Sequence, residues 1–173
     1  MKLIQTAPLA RYFGAILALV LVFSGTVRAE PVFSFDATPG KLPKTIVPTN
    51  YSIELRPDAE SLALPGVEVI DIEVRDPTAR LTLNAVNTTF ASVTVDDGAE
   101  RAEVALDAVA ETATFTFTRP LAAGAHRLRI AFTARINKFD RGFFFVDYPT
   151  DNGVKRLLTS KLEPADARRI FPC

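Results

Sequence analysis

The sequence has one histidine, His126, one cysteine, Cys173, and no tryptophan in 173 residues. A single cysteine excludes a disulfide within the chain. One histidine and one cysteine exclude a Cys/His zinc site and a paired-histidine zinc helix built from this sequence. A thiol–imidazole pair would have to join His126 to the last residue. Net charge is absent too: 20 Lys and Arg balance 20 Asp and Glu. That balance argues against nucleic-acid binding, which needs a basic face to displace counterions. Neither a phosphate-cradling glycine-rich loop nor a nucleophile elbow occurs. What the chain has in quantity is hydrophobic residues, at 48%, ample for the core of one domain.

Residues 1–29 stand apart from the rest. Lys2 and Arg11 precede an apolar run over 13–23, Ser24 and Gly25 break it, and Val27-Arg28-Ala29 follows with small residues at its first and third positions. Positive charge, apolar run and small residues in that order predict an export signal over 1–29 and a periplasmic or secreted product. The alternative is an uncleaved membrane anchor, for which the run is short against the roughly 20 residues a span requires. No other membrane contact is expected. No cysteine sits near residue 29 to be acylated. Without Lys2, Arg11 and Arg28 the remainder is mildly acidic. In an oxidising compartment the unpaired Cys173 is an anomaly.

Pro31, Pro39, Pro43 and Pro48, with Gly40, predict an extended lead-in. From Asn50 onward the apolar period is two. Tyr51, Ile53 and Leu55 alternate with polar residues, as do Leu81, Leu83 and Ala85, Val93 and Val95, Val104 and Leu106, Phe115 and Phe117, and Leu128, Ile130, Phe132 and Ala134. Val67 and Val69 lie on one parity and Ile70, Ile72 and Val74 on the other, which predicts a β-bulge between them. Asp96-Asp97-Gly98 predicts a hairpin-type turn. Short, evenly spaced strands separated by turn residues predict an all-β sandwich, and no segment of 30–160 carries a helical period. Gly142-Phe143-Phe144-Phe145-Val146 is too continuous for a half-exposed strand and predicts burial on both faces. Pro164-Ala165-Asp166-Ala167-Arg168-Arg169 predicts a short helix opened by the proline, with its acid early and its arginines late.

Few side chains suit chemistry. His126 follows a hairpin and reads as a turn residue. Asp96 and Asp97 read as turn chemistry. Asp147, Asp151 and Asn152 lack the ligand spacing of a calcium loop, and Asn87-Thr88-Thr89 matches a glycosylation sequon but reads as a turn. Glu163 is the acid to single out. It lies between a strand-like stretch and the short helix, where it serves either as a helix cap or as a ligand for a cationic group.

Four phrases in order carry a resemblance. They are Leu42-Pro43-Lys44-Thr45-Ile46-Val47-Pro48-Thr49-Asn50-Tyr51; Pro77-Thr78 with Leu81-Thr82-Leu83-Asn84-Ala85; Phe139-Asp140-Arg141-Gly142-Phe143-Phe144 with Tyr148; and Leu162-Glu163-Pro164-Ala165-Asp166-Ala167-Arg168-Arg169-Ile170-Phe171-Pro172-Cys173. Over residues 41–173 the chain resembles the N-terminal domain of the M1 zinc aminopeptidases. The resemblance implies a saddle-like antiparallel β-domain over 42–163, after a lead-in at 30–41, with 164–173 opening the segment towards a catalytic domain. It implies zinc and a peptide substrate for the full-length parent, and no cofactor in this chain, which reads as cut before the metal site and inactive alone. Glu163 matches the family's acid that pairs with the substrate α-amine. Lys161 stands where the family often has Gln, beside the pocket for the first residue. The competing expectation is a stand-alone secreted β-sandwich that binds a protein or glycan.

Overall fold

The computed structural model describes Glu30, residues 32–98 and residues 101–173. The expected signal segment 1–29 lies outside them. Two compact units divide the chain, Met1–Thr38 and Pro39–Cys173. In the described part of the first, the Thr38 N–H donates to the Ser34 carbonyl at 3.0 Å and closes a turn.

The second unit is built of strands: β1 (Ile46–Leu55), β2 (Ala63–Val74), β3 (Thr78–Asn84), β4 (Thr89–Val95), β5 (Glu103–Asp107), β6 (Thr112–Leu121), β7 (Gly124–Arg135), β8 (Gly142–Thr150) and β9 (Gly153–Lys161). They form a sheet in the order β1-β2-β7-β4, a sheet β3-β6-β5 and a ribbon β8-β9, with every pairing antiparallel. The all-β expectation is met.

Alternation decides which face is inside. Leu128, Ile130, Phe132 and Ala134 of β7 are buried together with Leu64, Ile70, Ile72 and Val74 of β2. Leu81 and Leu83 of β3 and Phe115 and Phe117 of β6 belong to the same core. Phe90 of β4 meets Phe115 edge-on, ring centroids 5.2 Å apart, and so joins the two sheets. Each such side chain contributes about 1.5–3 kcal/mol by leaving water. Gly66 lies opposite Phe132, and a Cβ there would stand 2.6 Å from the Phe132 ring. A hydrogen is all that fits.

Several expectations need correction. No bulge divides β2, which pairs with β7 without a break from Ala63 to Val74. Its even positions face the core throughout, so Val67 and Val69 face away from it. The bulge in this region lies in β1, between Pro48 and Asn50. Asp96 and Asp97 do form the expected turn, at φ 51° and 54°, with the Gly98 N–H donating to the Val95 carbonyl at 2.9 Å. It does not make a hairpin, because β4 pairs with β7 and β5 with β6. The run 142–146 is not buried on both faces. Phe143 and Phe145 pack on the core with Leu158, while Val146, Tyr148 and Leu157 are exposed. A two-stranded ribbon has one face on the domain and one face open. The short helix is a single 3₁₀ turn, Asp166–Arg169, and Pro164 precedes it rather than opening it.

Unbroken parity in β2 has one further consequence. Glu68 faces inward between Ile53 and Ile130 of its neighbouring strands. It is 0% exposed, and neither carboxyl oxygen has a hydrogen-bond partner. Burial pushes its pKa up from an ordinary 4.5 to about 8, so it is held as the neutral acid, which costs far less to bury than a bare charge.

Because folded Glu68 keeps its proton more tightly than unfolded Glu68, the stability it confers is complete below pH 4.5 and is lost as pH rises through about 8. Urea unfolding of wild type and Glu68→Gln at pH 6 and pH 9 should show the variant gaining about 2–3 kcal/mol on wild type across that interval. Parallel pH profiles would show that Glu68 is not the titrating group.

Candidate functional site

Glu163 sits on the bend between β9 and the 3₁₀ turn. The Asp166 N–H donates to the Leu162 carbonyl at 2.9 Å and closes this bend around Glu163, Pro164 and Ala165. Glu163 itself is exposed, and its carboxylate meets no cation among the described residues. Such a group is free to take a charged ligand from outside.

What holds the bend is a short stretch of β8 and the loop before it. On one side, Lys161 is the ladder partner of Gly142, and its Nζ lies 3.1 Å from Asp140 Oδ2. That contact holds the exposed Asp140 below the usual carboxylate range. On the other side, Asp166 accepts two hydrogen bonds from Arg141, Nε at 2.8 Å and Nη2 at 2.9 Å. Arg169 Nε donates a third at 2.8 Å. Asp166 is 3% exposed. Its hydrogen bonds from Arg141, helped by Arg169 and opposed by burial, hold its carboxyl below the usual range. A buried carboxylate without such partners would be strongly destabilising.

The remaining contacts extend this cluster. Arg168 and Arg169 reach Glu111 at 3.2 and 3.5 Å. Asn137, which is buried, donates from Nδ2 to the Arg141 carbonyl at 2.8 Å, and its backbone bonds to Phe143 and Phe145. After the 3₁₀ turn, Cys173 exchanges backbone hydrogen bonds with Asn84 at 2.7 and 3.0 Å, and Phe171 packs against Tyr51. Gly142 has φ 65°, and a Cβ there would come within 2.6 Å of the Arg169 Cβ. Both the turn and the close approach call for glycine.

The other candidates have structural occupations. His126 Nδ1 pairs with Asp96 Oδ2 at 2.5 Å and Nε2 lies 2.9 Å from the Ala122 carbonyl. The Asp96 contact raises the imidazole pKa. Burial works against Asp96, but His126 and the Arg127 N–H hold it below its usual range. Asp147 is taken by Arg156 at 2.7 and 2.8 Å, and that guanidinium stacks 3.9 Å above the Phe145 ring. Asn87 occupies a turn at φ 53°. Among the described residues no group of three or more His, Cys, Asp or Glu is placed to hold a metal ion. What the bend presents chemically is the exposed Glu163 carboxylate, a ligand for a cation. The Arg141–Asp166 pair carries no sequence signal of its own, because its members are 25 residues apart.

Comparison with known proteins bears on the same region. Residues 47–173 match the model of the peptidase M1 N-terminal domain. The chain is similar to an aminopeptidase N of Acetobacter pasteurianus, 42% identical over 147 residues, covering 84% of this chain and 41% of that protein. It is 32% identical over 132 residues to aminopeptidase 2 of Candida albicans, covering 76% of this chain and 14% of that protein. It is 31% identical over 140 residues to aminopeptidase M1 of Arabidopsis thaliana, covering 77% and 16%. The chain thus spans less than half the length of each of these relatives.

Gly142→Ala should lower the stability of the unit by about 1–3 kcal/mol, since it must relieve both the left-handed backbone and the approach of Arg169. Chemical denaturation checks this. An unchanged midpoint would mean that the bend does not depend on this close approach.

Proposed function

The chain belongs to the family of peptidase M1 N-terminal domains, and from that premise we propose that it is the N-terminal β-domain of an exported aminopeptidase, with Glu163 receiving the α-ammonium of a peptide substrate. The observation that carries this reading is the exposed Glu163 carboxylate, without a cation among the described residues, on a bend whose two ends are tied down. An ammonium–carboxylate contact in a closed site is a strong, charge-assisted bond, and it selects peptides with a free N-terminus. Lys161, one step from the bend, is assigned to the pocket for the first residue by the same reading. Its pairing with Asp140 sets the charge it presents there.

The open face of the ribbon supports a partner domain. Val146, Tyr148 and Leu157 form an apolar patch on the strands that lead to Glu163, and a catalytic domain seated there would cover it. Zinc, when bound by such an enzyme, supplies an activated water. The described residues of this chain do not fit that ion. Their part is to bind and orient the substrate amine, and the 173-residue chain has no turnover of its own.

Two assays test this. Glu163→Gln in the full-length enzyme should lower kcat/KM for an aminoacyl anilide about 100-fold, the worth of a hydrogen bond to a charged group; unchanged kinetics would remove the assigned role. The 173-residue chain with added zinc should leave the same substrate intact. Turnover by it would place a complete active site within the chain.

A further inference from the structure

We infer that Arg141 and Asp166 are positioning residues for Glu163, because Arg141 and Gly142 hold both ends of the bend that carries it. The inference rests on reading Glu163 as the receiver of the substrate amine. Lys161, the residue before the bend, is fixed in the ladder opposite Gly142. Asp166, the residue after it, is fixed by two hydrogen bonds to Arg141. Only residues 162–165 lie between, closed by the bond from the Asp166 N–H to the Leu162 carbonyl. Arg141, the last residue of the loop before β8, and Gly142, the first residue of that strand, therefore set the height and direction of Glu163. The side chain of Asp166 is buried, while that of Arg141 is half exposed. The guanidinium reaches in from the surface, and its planar fork fixes the carboxylate in angle as well as distance.

A displacement of about 1 Å at a substrate-orienting group can cost on the order of 100-fold in rate. Lysine at position 141 would keep the positive charge and lose the fork. Asp166 would keep Arg169 as its partner, so the buried carboxylate would stay compensated. Arg141→Lys is therefore the mild variant, and it separates position from charge.

The test is a double-mutant cycle in the full-length enzyme with Arg141→Lys, Glu163→Gln and the pair. Arg141→Lys should raise KM for an aminoacyl anilide about tenfold while kcat stays within about threefold. It should weaken an inhibitor that carries an α-amine and leave its des-amino counterpart unaffected. In the Glu163→Gln background it should add less than about twofold, since a residue that acts through Glu163 has nothing left to position. Losses that multiply across the two sites, or an equal effect on both inhibitors, would overturn the inference. So would loss of folding in Arg141→Lys, which would assign the pair to stability alone. A silent Glu163→Gln would instead overturn the amine-binding reading beneath it. Asp166→Asn, the harsher variant, should follow the same pattern with a larger rise in KM.

Discussion

Twelve residues of β2 pair with twelve of β7 without a break in register, and the rest of the unit is arranged on that ladder. The period of two then commits every inward position at once. Leu64, Ile70, Ile72 and Val74 meet Leu128, Ile130, Phe132 and Ala134 on one face, and the second sheet closes over them. Gly66 is forced by the Phe132 ring, and Glu68 is forced into the core by its parity. A single bulge in β2 would have turned Glu68 out to water and Val67 inward. The structure instead keeps the ladder straight and carries a neutral acid.

The ribbon applies the same physics with a different result. Its two strands give it one face packed on the core, through Phe143, Phe145 and Leu158, and one open face. Charge takes over where apolar burial is thin: Arg141, Asp166, Arg169 and Glu111 tie the 3₁₀ turn to the start of β8 and to the loop before β6. This cluster sits beside the bend that carries Glu163. The bidentate Arg141–Asp166 pair tolerates little displacement, which suits the role proposed for Glu163.

Much of the fold was legible in the residues. Leu81 and Leu83, Phe115 and Phe117, and Leu128, Ile130, Phe132 and Ala134 are inward as their alternation says. The errors have physical causes. Val67 and Val69 are apolar on the outward face, so apolarity there could not mark the inside, and the true inward residue was a glutamate. The run at 142–146 does not reveal its burial, because five apolar residues look alike whether one face or two is covered. The turn at Asp96 was legible, but not the separation of β4 from β5, since pairing partners lie far apart in sequence. At the site, Glu163 and Lys161 stood out through the family resemblance, whereas the grip of Arg141 on Asp166 needed the fold.

The lone histidine and lone cysteine at the outset agree with this division of labour. His126 braces Asp96, and Cys173 stitches the last residues to Asn84. Neither is near Glu163 in role, and the chemistry assigned to this chain is recognition. The most direct measurement is a crystal structure of the full-length enzyme with a non-cleavable peptide. The account predicts the peptide α-ammonium within about 3 Å of a Glu163 carboxylate oxygen, with Asp166 still forked to Arg141. An ammonium held wholly by residues outside 1–173, with Glu163 turned to solvent, would contradict it.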